Sequence, residues 1–299
     1  MFMTCHPLLP REARVALTLR LLGGLTTPQI ARAQLISEGA VAQRIVRAKR
    51  TLSSARVPFD IPDPDERPAR LSAVLEVIYL IFNEGHSATA GEHWTRPELC
   101  REAMRLGRVL AALMPRETEV HGLLALMELQ ASRLPARTGP GGAPVLLADQ
   151  DRTLWDGVLV QRGLASLTRA QALAAPLGPY ALQAAIAACH ARAPRFAATD
   201  WAGIVALYDA LAAVTPSPIV ELNRAVAVSL AYGPAAALEI VDALLEEPAL
   251  RGYHLLPAVR GDLLARLGRH DEARAAFLCA AELCRSEPER ALLLARAHP

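Results

Sequence analysis

The sequence predicts an all-α protein on three observations. Hydrophobic residues make up 52% of the 299 residues but aromatic residues only 4%, because alanine and leucine, which favour helices, supply the excess. Apolar residues recur at spacings of three and four, and short turns with proline or glycine separate these segments. No apolar run reaches the roughly 18 to 20 residues of a membrane span. The N-terminus lacks the pattern of a secretory signal, so we expect a cytoplasmic protein without membrane contact.

Three helices are predicted near the N-terminus. The first covers residues 11–22, and a tight turn joins two shorter helices between residues 26 and 50. Thr27 is placed to cap the second helix, with Pro28 in the first helical position, and Ser37 is placed to cap the third. The first helix is expected to bury Ala13, Ala16, Leu17 and Leu21. The third is expected to bury Val41, Ile45, Ala48 and Leu52.

The opposite face of the third helix is cationic. Its side chains are Gln43, Arg47 and Arg50, with Arg44 and Lys49 on the flanks. A helix that is apolar on one side and basic on the other, after a capped helix and a short turn, is typical of a helix-turn-helix. Residues 1–56 carry nine basic and two acidic residues, a balance of +7, whereas the remaining 23 basic and 28 acidic residues give −5. Positive charge concentrated at one end predicts nucleic-acid binding.

Prolines mark the boundary that follows. Residues 57–68 are predicted to form an extended linker, because their four prolines disfavour helix and strand hydrogen bonding. A helical domain is expected over residues 69–175, and its first helix is predicted over 69–82, ending at an Asn-Glu-Gly turn. Thr95 and Glu98 fit a capping box at the start of the next helix.

A third helix of this domain is predicted over residues 117–134. Its buried stripe is expected to be Val120, Leu124, Met127 and Ala131. The loop that follows is rich in glycine and proline, and we interpret it as a surface turn, because the Gly-Lys-Ser/Thr sequence of a phosphate-binding loop is missing. Asp149 and Asp151 are either an acid pair or, as we prefer, caps for a helix over 152–174.

Residues 176–299 are predicted to form helical repeats. Helices are expected near residues 178–192, 200–213, 217–231, 234–246, 252–267 and 270–284. Gly233 and Gly268 lie 35 residues apart, close to the period of about 34 of tetratricopeptide repeats (TPRs). Ala273, Phe277 and Ala280 follow Gly268 at matching offsets, whereas the residues after Gly233 diverge. Stacked pairs of this kind typically form binding surfaces or scaffolds.

The residues that carry chemistry form no recognisable catalytic or metal-binding pattern. The five cysteines are scattered without a C-x-x-C motif, which favours reduced thiols: Cys5, Cys100, Cys189, Cys279 and Cys284. Neither a matched nucleophile and base nor a cofactor fingerprint is present. We therefore expect no catalytic residue, no cofactor and no metal.

Residues 1–56 resemble region four of bacterial extracytoplasmic-function sigma factors in the segments TCHPLL, ALTLRLLGGLTTPQIA and AQRIVRAKR. Later segments, among them VPFDIPDPDERP, LSAVLEVIYLIFNEGHSATAG and TPSPIVELNRAVAV, are similar to the long C-terminal extension of one subgroup of these factors. The resemblance implies that the Ser37 to Arg50 helix binds the −35 promoter element and that region four contacts the β flap of RNA polymerase. It implies DNA contacts at Thr27, Ser37, Gln43, Arg44, Arg47, Lys49 and Arg50. Family members begin with region two, which has no counterpart before Met1, so we do not expect this polypeptide to initiate transcription alone.

Two hypotheses about function remain open. In the first, the protein binds promoter DNA, and its extension regulates it or docks on a partner. The opposite charges of the two parts then suggest an intramolecular contact in which the extension masks the basic helix. In the second, the protein is a helical-repeat adaptor whose helix-turn-helix has lost its role in DNA binding.

Overall fold

The described residues of the computed structural model are mostly α-helical, as the sequence predicts. The model describes residues 1–34, 36–57, 65–87, 95–173 and 175–298. The α-helices of these residues are α1 (Arg11–Leu21), α2 (Thr27–Gln34), α3 (Glu38–Ser54), α4 (Arg67–His86), α5 (Pro97–Leu113), α6 (Thr118–Ala131), α7 (Gly157–Ala172), α8 (Pro179–Arg192), α9 (Trp201–Val214), α10 (Pro218–Ala231), α11 (Pro234–Ala243), α12 (Leu255–Arg266), α13 (His270–Leu283) and α14 (Glu287–Ala297). In the described ranges the extended structure is one β-bridge, between Thr138 and Pro144.

The first three helices pack against one another, and we call them the N-terminal unit. All four apolar residues expected on the inner face of α3 are buried, which confirms the periodicity argument. On α1, Ala13, Ala16 and Leu17 are buried, but Leu21 is 45% exposed, so that part of the prediction was wrong. Leu21 is the last residue of α1.

The chain after this unit differs from the prediction in where α4 ends. Residues 58–64 of the predicted linker lie outside the described residues, and α4 begins at Arg67 and continues to His86. The predicted Asn83–Gly85 turn was therefore wrong. Gly85 is helical, and a Cβ on it would lie 2.7 Å from the backbone nitrogen of Cys100. This glycine allows α5 to approach α4 closely, which the sequence pattern alone does not reveal.

The start of α5 does not use the predicted capping box. The residue before the helix is Arg96, and no side chain caps the helix. The backbone nitrogen of Arg96 donates instead to the carbonyl of Gly85, at 2.7 Å. The contact with α4 thus takes the place of the hydrogen bonds predicted for Thr95 and Glu98.

Helix α6 lies at the centre of the fold. Its predicted stripe is buried, and so is the rest of the helix except Glu119 and Gln130. It packs against α4, α5, α7 and α8, which explains burial on all sides. The next helix, α7, is capped by Asp156, whose Oδ1 accepts from the backbone nitrogens of Val158 and Leu159. The prediction that Asp149 and Asp151 cap it was wrong, because Asp151 caps a short 3-10 turn before it.

Helices α8 to α14 follow one another, each packed on the next. Six of them match the predicted segments, and α14 is an additional helix. Gly233 and Gly268 have φ angles of 105° and 76°, a conformation that favours glycine, and each lies in an interhelical turn. Ala273, Phe277 and Ala280 are buried between neighbouring helices. No helix among the described residues is long and apolar enough to cross a membrane.

The N-terminal unit shares its hydrophobic core with the helices that follow. One buried cluster runs from Cys5 through the first three helices into α4, α5 and α6. At its edge, Glu76 of α4 forms ion pairs with Arg11 and Arg14 of α1, at 3.1 and 3.4 Å. The α1 surface therefore attaches this unit to the rest of the chain.

Candidate nucleic-acid interface

Helix α3 is held by its apolar face and turns its basic face outward. The Ser37 hydroxyl accepts from the backbone nitrogen of Ala40 at 3.2 Å, so Ser37 caps the helix as predicted. The inner face packs against α1 and α2. The side chains of Gln43, Arg47, Lys49 and Arg50 are exposed, and that of Arg44 is half-buried. Of these cations, Arg47, Lys49 and Arg50 form no ion pair with a carboxylate in the described ranges.

A groove of about 390 Å³ runs between the start of α1 and the outer side of α3. Gln43, Arg44 and Arg47 line one wall, so the structure brings three of the predicted residues together. The other wall includes Leu9 and Glu12. The sequence pattern does not reveal this second wall, because the wall depends on how α1 packs across α3.

Thr51 is a further groove residue that the sequence analysis missed. It lines the same groove, and its hydroxyl donates to the carbonyl of Arg47 at 3.1 Å. The sequence contains a signal for this position, because Thr51 follows Arg47 by four residues and so lies on the same helix face.

The prediction that Thr27 caps α2 was wrong. The Thr26 hydroxyl accepts from the backbone nitrogen of Gln29 at 3.4 Å, while the backbone nitrogen of Thr26 donates to the Gln29 side-chain oxygen at 2.7 Å. This reciprocal pair is a capping box, and the Thr-x-x-Gln spacing in the sequence was its signal. Thr27 is the first helical residue and is half-buried.

The extension meets the N-terminal unit away from the basic face. In addition to the Glu76 ion pairs, Arg105 of α5 donates to the carbonyl of Leu22 at 2.7 Å, just after α1. The main packing partners of α3 in the described chain are α1 and α2. Among the described residues, the predicted masking of α3 by the extension is not shown, since the extension attaches to α1.

Comparison with known proteins gives this geometry a context. Residues 1–52 match the model of sigma-70 region 4, and residues 70–171 match a family of unknown function, DUF6596. The chain is also 49% identical over 293 residues to an uncharacterized protein of Rhizobium meliloti (strain 1021). That match covers 98% of this chain and 69% of the rhizobial protein. The chain belongs to the same family as this rhizobial protein. No solved structure matches it.

The region 4 match gives the N-terminal unit a class of function. Sigma-70 region 4 is a helix-turn-helix domain that binds DNA and acts in transcription, and no enzyme family is indicated for this chain. The matched residues end at Leu52, the last buried residue of α3. The region 4 match therefore contains all the residues that we predicted to contact DNA.

Proposed function

We propose that this protein binds the −35 element of promoters through the outer face of α3, in transcription initiation and its regulation. The supporting observation is that Gln43, Arg47 and Arg50 are exposed together on a helix whose other face builds the core of a region 4 domain. Glutamine and arginine side chains match the hydrogen-bonding edges of adenine and guanine in the major groove. Lys49 and Arg44, on the flanks of that face, suit contacts with phosphate.

Two residues at helix starts have supporting roles in this proposal. Ser37 fixes the start of α3, whose exposed backbone nitrogens are suited to binding a phosphate. Thr27, at the start of α2, presents a second helix N-terminus to the DNA backbone. These residues orient the protein on the duplex, while the α3 side chains read the bases.

The proposal places the protein in the cytoplasm with RNA polymerase core as its partner, through the β flap. The region 4 match supports a sigma-factor-like protein, and the segments after residue 56 support the extracytoplasmic-function subgroup with a helical, TPR-like extension. Attachment through α1 leaves α3 open to DNA while the extension remains in place.

We assign the extension a regulatory or protein-docking role. A groove of about 550 Å³ lies between α9, α10 and α12. Trp201 and Tyr208 form an aromatic wall, and Asn223 and Arg266 add polar groups. Concave apolar surfaces with a few polar groups are typical binding sites for small molecules and peptides.

Binding of the full-length protein to labelled duplex DNA tests the role of α3. The double variant R47A/R50A should weaken binding at fixed low salt by at least about tenfold, because each arginine supplies about 1 kcal/mol or more. The preference of the protein for the promoter element over unrelated duplexes should fall as well, because contacts with bases carry the sequence preference. Selection from a pool of random duplexes then defines the preferred promoter element.

The matched control is the variant R162A/R169A. Both arginines are exposed on α7, so this variant removes the same charge from a surface outside the proposed interface. Its affinity and sequence preference should equal those of the wild type. Equal effects of the two variants would show that only overall charge matters, and no effect of either would favour the adaptor hypothesis.

A further inference from the structure

Three helix ends meet close to the C-terminus, and each brings one side chain that can bind a metal. His254 precedes α12, Cys284 follows α13, and Glu289 lies in the first turn of α14. One donor atom from each of these residues lies within 4.8 Å of the other two. An imidazole nitrogen, a thiolate sulfur and a carboxylate oxygen are the ligand types that zinc binds in proteins.

The distances are close to those of a formed site. His254 Nε2 is 3.3 Å from Glu289 Oε1, and Cys284 Sγ is 3.8 Å from Glu289 Oε2. A tetrahedral zinc ion with the usual bond lengths separates such donor atoms by about 3.3 to 3.6 Å. Small rotations of the side chains are therefore enough to place all three on one ion.

The surroundings of the cluster contain a buried polar group without a hydrogen-bond partner. The hydroxyl of Ser286 makes no hydrogen bond with the described residues, and the buried His254 Nε2 is in contact with the Glu289 carboxylate. Ser286 is only 4% exposed and lies between Cys284 and Glu289 in the chain. A buried polar atom without a hydrogen-bond partner is costly, which is consistent with a ligand at this position.

Access and charge also fit a cation. The side chains of His254 and Glu289 are about one quarter exposed, at 23% and 25%, so the cluster lies near the surface of the protein. Cys284 is 5% exposed and closes the inner side of the cluster. A thiolate and a carboxylate carry two negative charges together, which a divalent ion neutralises.

We propose that His254, Cys284 and Glu289 bind one zinc ion, with a water molecule from solvent in the fourth position. Binding forms a sulfur–zinc bond and releases the thiol proton to solvent, while zinc stays divalent and nothing is oxidised. The ion joins the start of α12, the end of α13 and the start of α14. Binding therefore stabilises the last three helices of the described chain against separation.

Cobalt(II), which occupies zinc sites and has visible absorption, provides the test. Full-length protein is titrated with cobalt and then with zinc. The wild type should bind one equivalent of cobalt, show a thiolate-to-cobalt charge-transfer band, and lose the band when zinc is added. C284S should lack the band and weaken binding more than about 100-fold, because loss of even an outer-shell partner costs 10- to 100-fold. H254Q should also weaken binding more than about 100-fold.

The matched control is C279S. This variant removes an exposed thiol from α13, the helix that Cys284 directly follows. It should bind cobalt as the wild type does. Should C284S fail to fold, H254Q decides, because its side chain is partly exposed and close in size to the original. The proposal is overturned if the wild type shows no charge-transfer band, if H254Q binds normally, or if C279S rather than C284S removes the band.

Discussion

Helices α6 and α8 approach closely at Gly122, and replacing this residue tests the packing of the central helix. A Cβ at this position would lie 2.6 Å from the backbone nitrogen of Ala181 and 2.8 Å from its Cα. Both neighbours are backbone atoms in the first turn of α8, so they cannot rotate away. The same backbone nitrogen donates to Glu119 at 3.1 Å, and a shift of α8 would weaken this hydrogen bond.

We expect G122A to destabilise the protein by about 2 kcal/mol. Overpacking costs roughly 1 to 3 kcal/mol, and the contact with backbone atoms favours the upper end. The higher helix propensity of alanine than of glycine offsets this cost by about 1 kcal/mol. The midpoint of thermal unfolding, followed by far-UV circular dichroism, should therefore fall by about 4 to 8 °C.

G157A is the matched control for this substitution. Gly157 begins α7, and a Cβ there would have no neighbour within 4 Å. Its midpoint should stay within about 2 °C of the wild type or rise slightly. A midpoint for G122A equal to or above that of G157A would refute the argument that α6 and α8 require a glycine where they cross.

Two further predictions concern the cap of α2 and the response to acid. T26V should increase amide hydrogen exchange in α2, because loss of a helix cap costs about 1 kcal/mol. T27V should leave exchange nearly unchanged. A larger effect of T27V than of T26V would show that Thr27 is the cap after all. Burial, reinforced by Arg133 and Arg152, lowers the pKa of His190 to about 4. Because an unfolded histidine titrates near 6.5, stability should be full above about pH 6.5 and fall as the pH drops towards 4. H190Q should flatten this dependence in thermal unfolding experiments, and an unchanged profile would contradict it.

The features predicted correctly depend on short-range spacing. The inner face of α3 follows from apolar residues within a single helix, and the exposure of Arg47 and Arg50 follows from the same geometry. The six helices from α8 to α13 could also be predicted from the sequence, because proline and glycine mark the turns between them. Local patterns thus determine most of the fold and the outer face of α3.

The features that were missed depend on contacts between distant segments. The Asn83–Gly85 turn was predicted because glycine often ends a helix, but here Gly85 continues α4 so that α5 can approach it. The second wall of the α3 groove requires α1 to cross α3. His254 and Glu289 are 35 residues apart in a spacing that matches no known metal motif, and only the packing of α12 on α13 and α14 brings them together.

The position of the attachment gives the charge asymmetry of the chain a physical meaning. The segment after residue 56 carries a net charge of −5, and placing it over α3 would set it against the phosphates that α3 is proposed to meet. The attachment pairs Arg11 and Arg14 of α1 with Glu76. The basic residues Arg47, Lys49 and Arg50 of α3 remain exposed to solvent. If α3 binds the promoter as proposed, this separation of charge attracts the duplex towards α3 and repels it from the extension. The duplex is then oriented before any base is contacted, and this orientation weakens with added salt as the field is screened.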